Sequence, residues 1–113
     1  MSYLTRGRQF QLWEYHIGHG SLLIRSPAGP HVATSIDIIF VGVEYLAAPR
    51  FLGEIAVSEA TADETRRLGE VLTKKPESLH VWALQGMRER FLVVAAAIKI
   101  QEHAGDIFDS PFH

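Results

Sequence analysis

Residues 91–98, Phe-Leu-Val-Val-Ala-Ala-Ala-Ile, carry apolar side chains on every side that a regular backbone could present. Neither face of such a segment can meet water. A run of this length with β-branched residues near both ends suits a strand covered on both faces. Strict alternation starts only where Ile98-Lys99-Ile100-Gln101-Glu102 brings in polar residues. A buried helix over Val93–Ile100 is the competing reading, and the alternation argues against it. The same double-sided character returns at Phe10–Ile17 and Ile36–Val43. That much apolar surface calls for a helix across the sheet, for self-association, or for both. It specifies no reaction.

With 113 residues and 47% hydrophobic side chains the chain has the size and composition of one globular domain, spanning 1–113. Lys99 closes the longest apolar stretch well short of the roughly 20 residues that a membrane helix needs. Two arginines precede no apolar segment with a cleavage site, so no secretory leader is expected, and a cytoplasmic location follows. There is no cysteine, which rules out disulfides, thiol chemistry and cysteine-ligated zinc. A formal charge of −2 argues against a nucleic-acid partner, which needs a concentrated basic surface.

Alternation places strands at Phe10–Ile17 and Ser21–Ser26, joined through Gly18-His19-Gly20 as an antiparallel hairpin. On simple alternation Phe10, Leu12, Glu14 and His16 share one side of the first strand. Pro27-Ala28-Gly29-Pro30 breaks the chain. Thr34–Leu46 reads as a strand too long to stay flat in a small domain, so a bulge or sharp bend is expected at Gly42. Phe51–Ser58 follows with a half-buried pattern. Thr61-Ala62-Asp63-Glu64 has the spacing of a capping box and opens a helix over Ala62–Leu72 with a thin apolar stripe. His80–Gln85 and Arg90–Glu102 are further strands, and Asp106–Asp109 is a short last one. The fold expected is α+β, a strongly bent and mainly antiparallel sheet, partly closed like a barrel, with one short helix.

Residues that could carry chemistry are few. His16 and His19 flank the first hairpin turn and could share a metal ion with His31 or an aspartate as third ligand. The spacing matches no established metal pattern, and no metal or other cofactor is expected. Gly18-His19-Gly20-Ser21 brings a hydroxyl near an imidazole, but lacks the strand-turn-helix elbow that nucleophilic serines use, and no catalytic residue is assigned. Glu102, Asp106 and Asp109 form an acidic cluster that reads as a solvated edge. Asp37 interrupts an apolar run, and pairing with Arg25 on the adjacent strand is the expected way to keep its charge in a buried sheet. The glycines form no phosphate-binding loop. Trp13, Tyr15, Phe40, Tyr45, Trp82 and Phe91 serve either the core or the wall of a cavity, with His16, His19 and Glu14 as the candidate ligand-binding residues.

The absence of a catalytic pattern, together with the excess of apolar surface, favours a non-catalytic binding protein that recognises a protein partner. A small-molecule pocket protein, or a small enzyme using a histidine near the first hairpin, is the alternative. A homodimer is expected, buried through Phe10–Ile17 and Phe91–Ile98. Ala96 is expected to be packed against a close neighbour, where a larger side chain would overpack.

Overall fold

The computed structural model describes residues 2–4, 7–72, 80–105 and 109–112. Its strands are β1 (Ser2–Leu4), β2 (Phe10–His16), β3 (Ser21–Ser26), β4 (Ser35–Val41), β5 (Tyr45–Ala47), β6 (Phe51–Gly53) and β7 (Ala56–Glu59). Helix α1 (Ala62–Val71) is followed by β8 (His80–Gln85), β9 (Arg90–Ala95) and β10 (Ala97–His103). They form two five-stranded antiparallel sheets, in the orders β1-β7-β8-β9-β5 and β10-β4-β3-β2-β6. The α+β architecture with one short helix is therefore present, but as two open sheets and not as one partly closed sheet. The expected strand at Asp106–Asp109 lies outside the described residues except for Asp109, which is not in a strand.

The sheets share one core. Phe10, Leu22, Ile24, Ile38, Phe40 and Leu52 come from the second sheet, and Val57, Trp82, Leu84, Val93 and Ala95 from the first. Leu22, Ile24, Ile38, Phe40, Leu84 and Val93 are essentially without solvent contact. Phe10 and Leu12 of the first expected dimer face and Phe91, Val93 and Ala95 of the second pack between the sheets, whereas Tyr15 and Ile17 stay 46% and 85% exposed.

The long strands read from the sequence are each divided where the chain passes from one sheet to the other. Thr34–Leu46 becomes β4 in one sheet and β5 in the other, and Arg90–Glu102 becomes β9 and β10. The bend in the first falls at Gly42, with φ +68°, a left-handed conformation that L side chains rarely adopt. The break in the second falls at Ala96, whose amide donates to the Val41 carbonyl at 2.9 Å. The two corners touch: a Cβ built on Gly42 would stand 3.1 Å from the Ala96 Cβ. Strands that change sheets at bends are how packed sheets make their corners. Ala96 and Ala97 are exposed at this corner, so Ala96 is not the overpacked interior position expected. Its small size matters toward Gly42, while the rest of its surface faces water.

Helix α1 starts with both halves of the capping box. The Glu64 amide donates to the Thr61 hydroxyl at 3.1 Å, and the Thr61 amide donates to the Glu64 carboxylate at 2.9 Å. Arg90 of β9 reaches the same carboxylate at 2.6 Å, which ties the helix to the first sheet. The Arg90 hydrogen bonds, with burial opposing and the Thr61 amide assisting, bring the Glu64 carboxyl down to about 2. Leu68 is the helix's buried residue, and it stands apart from the inter-sheet cluster. The thin apolar stripe therefore covers little. No helix among the described residues is long and apolar enough to cross a membrane.

The corner generates a test. Gly42→Ala should cost about 1–3 kcal/mol in urea unfolding, combining the left-handed φ with the contact on Ala96. Adding Ala96→Gly to that variant should recover only the steric part. Ala96→Leu alone should stay within about 0.5 kcal/mol of the parent, because its added atoms can reach solvent.

Candidate functional site

The second sheet has two lined faces, and its outer one collects the polar residues. Strand β2 carries an irregularity between Leu12 and Glu14: Leu12 pairs with Ile24, whereas Glu14 pairs with Leu23. The extra residue, Trp13, reverses the phase of everything after it. Phe10 and Leu12 stay with the core, but Glu14 and His16 join the phase of Leu23 and Arg25. The simple alternation that put all four on one side is corrected by this one residue.

Arg25 of β3 and Asp37 of β4 are opposite each other in register on that outer face. Both are buried, at 1% and 0% exposure. Arg25 donates from Nε to Asp37 Oδ1 at 2.6 Å and from Nη2 to Oδ2 at 3.0 Å. This two-pronged geometry is the strong form of the pair. His103 of β10 completes the site, with Nε2 2.9 Å from Asp37 Oδ2. Its Nδ1 accepts the Gly105 amide at 3.2 Å. With Nδ1 accepting there, Nε2 is the ring nitrogen that faces Asp37. The Arg25 guanidinium lies 5.3 Å from the Trp13 ring centre, within cation–π range. Asp109, Ser110 and Pro111 lie across the network and, with Arg25, Asp37, Gln101 and His103, line a cleft of about 160 Å³.

Burial pushes the Asp37 carboxyl up. The hydrogen bonds and charge of Arg25, followed by those of His103, outweigh burial and hold it below its ordinary value. Every strong group is committed within the network: Asp37 takes three hydrogen bonds and His103 uses both ring nitrogens. The Ser110 hydroxyl accepts the Phe112 amide at 3.1 Å. Among the described residues the groups of this network are committed to one another as a structural ion pair.

The structure also brings His16 and His19 together. Their ring centres are 4.9 Å apart with planes 14° from parallel, and Phe112 packs edge-on against His16 with centres at 6.5 Å. Glu14 shares the sheet face with His16. His31 lies exposed in the loop after Pro30. Among the described residues no three histidine or carboxylate groups gather as a metal site would require. Of the acidic cluster, Glu102 accepts a hydrogen bond from the Thr34 hydroxyl, Asp109 is exposed, and Asp106 lies outside the described residues.

A larger cleft lies where β6 approaches the turn between β8 and β9. Its volume is about 580 Å³, and Phe51, Leu52, Gly53, Gly86, Met87, Arg88 and Phe91 line it. Gln9, Glu54 and Glu89 supply its polar wall. Phe51 is 66% exposed and Met87 88%. Arg50 lies over the Phe51 ring, 5.0 Å from its centre. Neither His16 nor His19 lines this cleft. Alternation did not single it out, because Phe51 read as one more strand residue and Met87 as part of a connection.

Comparison with family models, with curated proteins and with solved structures returned no match.

The buried network makes a prediction in two parts. Asp37→Asn should cost about 3–5 kcal/mol at neutral pH, because it leaves the Arg25 charge buried without its counterion. Arg25→Met with Asp37→Leu should cost clearly less than that single change. The native Asp37 pKa is below its unfolded value of about 3.9. Its contribution is therefore complete above the unfolded pKa and is lost as pH falls through the native one. The stability gap between the parent and Asp37→Asn, measured by urea unfolding, should shrink on acidification below about pH 4.

Proposed function

We propose that this chain is a single-domain, non-catalytic interaction protein of the cytoplasm that works as a homodimer and holds a segment of a protein partner in the cleft between β6 and the β8–β9 turn. The observation that supports this reading is the pair Phe51 and Met87. Two large apolar side chains, 66% and 88% exposed, line a cleft of about 580 Å³. Aromatic residues, methionine and arginine are the side chains enriched at protein interfaces, and Phe51, Met87, Arg50 and Arg88 bring all three types to one end of the molecule.

The lining suits a peptide that inserts one apolar side chain between Phe51 and Met87, above Phe91 and Leu52. Gln9, Glu54, Arg88 and Glu89 form the polar rim that such an interface carries around its apolar centre. Methionine adapts its shape to the inserted group, while the Phe51 ring offers a flat wall. The charged rim has both signs, so orientation of the segment, more than bulk charge, sets recognition.

A photo-crosslinking residue placed at Met87 in the native host should capture a defined partner that the same residue placed at Glu70 on α1 does not. The purified pair should then bind in vitro, and Phe51→Ala should raise Kd at least tenfold with the melting temperature unchanged. Equal capture from both positions, or unchanged affinity in Phe51→Ala, would sink the cleft as the docking site.

A further inference from the structure

We infer that the homodimer forms by antiparallel pairing of β10 with β10 of a second copy, about a two-fold axis through Ile100. The inference rests on the dimeric state of the proposed function and assigns its interface. Among the described residues each sheet has two edges; β5 and β6 are strands of only three residues, and β1 is described over Ser2–Leu4. Very short edges are one way in which sheets avoid pairing with other chains. The fourth edge, β10, is different. It runs for seven residues, Ala97–His103, in unbroken register with Val41–Ser35, without proline, glycine or bulge. Among the described residues nothing pairs with its other side.

The side chains of β10 are left half finished. Ile98 and Ile100 pack on the edge of the core but are only partly covered. A neighbouring strand would complete their burial and satisfy the open backbone groups in the same step.

Self-pairing is selected by register. A two-fold axis normal to a sheet keeps each face on its own side, so only residues of equal phase can stand opposite one another. An axis through Ile100 pairs Ala97 with His103, Ile98 with Glu102 and Lys99 with Gln101, and uses all seven residues. An axis through Lys99 would set two lysines face to face, which destabilises a strand pair. An axis through Gln101 would leave Ala97 and Ile98 unpaired and put Lys99 opposite His103. The full-length register also sets no two like charges directly opposite one another. Lys99 thus discourages the competing register while the strand accepts a second copy.

The chain has no cysteine, so single cysteines report the register without ambiguity. Directly opposed antiparallel residues have Cα atoms about 4.5–5.5 Å apart, inside the range of about 4.4–6.8 Å that a disulfide bridges. Ile98 and its own mate would be four residues out of register, roughly 14 Å apart. Under mild oxidation Ile100→Cys should therefore form a disulfide dimer at least fivefold faster than Ile98→Cys. A mixture of Lys99→Cys and Gln101→Cys proteins should cross-link likewise, and it reports from the solvent face should Ile100→Cys fold poorly. The parent should sediment at twice 12.6 kDa. Sedimentation at 12.6 kDa would overturn the interface and the dimer together, leaving the cleft reading to its own test. A dimeric mass with neither cross-link faster than Ile98→Cys would overturn the β10 interface alone.

Discussion

The architecture depends on one close approach, the contact between Gly42 and Ala96. Two strands whose residues are apolar on both faces cannot lie in one flat sheet of a small protein, because a single short helix cannot cover what they expose. The chain resolves this by passing each strand from one sheet to the other, so that the same run contributes to both sides of one core. Both passages occur at the same place, and there the backbones come near enough that only hydrogen and a methyl group fit between them. The amide of Ala96 donates to the Val41 carbonyl across that gap. A side chain at Gly42 would press on Ala96, push the sheets apart at the corner and open the core beside it.

This explains which parts of the fold were legible in the sequence. Gly42 stands inside a strand too long for the domain, and a glycine in that position marks a bend on length alone. The capping box at Thr61–Glu64 is local chemistry and needs no tertiary information. Ala96 could not be read the same way, since an alanine among alanines and valines gives no sign that the strand breaks there. An apolar run looks identical whether it stays in one sheet or changes sheets, and only the pairing of β9 and β10 with different neighbours distinguishes the two. The insertion of Trp13 in β2 is equally silent. Every residue of β2 suits a strand, and the reversal of Glu14 and His16 to the outer face depends on what β3 presents opposite them.

The same limit applies to the candidate site. Asp37 was visible because a charge interrupts an apolar run, and Arg25 because it is the cation on the preceding strand. His103 was not, although it follows Lys99 and Gln101 in phase and so shares their face. Joining it to Asp37 requires knowing that β10 pairs with β4 and not with its sequence neighbour β9. Trp13 over Arg25 and the Arg8 guanidinium, which donates to the Ser26 and Thr34 carbonyls, belong to the same class of long-range facts. The cleft at Phe51 and Met87 joins two segments far apart in the chain, and exposure of either residue cannot be seen from its own strand or turn.

A buried ion pair is a weak source of net stability, so its place in this sheet calls for another reason. Register supplies one. Strands β3 and β4 contain Leu22, Leu23 and Ile24 facing Ile38, Ile39 and Phe40, and both faces of both strands are buried. Where one face is polar, a slip by one residue turns the apolar set to water and is strongly opposed. Here that penalty is much reduced, because a slipped strand would still present aliphatic groups to either side. The charged pair restores the distinction. A slip by one residue sends Arg25 and Asp37 to opposite faces, and a slip by two leaves each unopposed in a dry interior. Either error costs several kcal/mol for each stranded charge, far more than the exchange of one aliphatic contact for another. His103 extends the control to β10, since its Nε2 reaches Asp37 only when Gln101 stands opposite Asp37. The polar network on the outer face therefore fixes the alignment of three adjacent strands that their hydrophobic pattern leaves nearly degenerate.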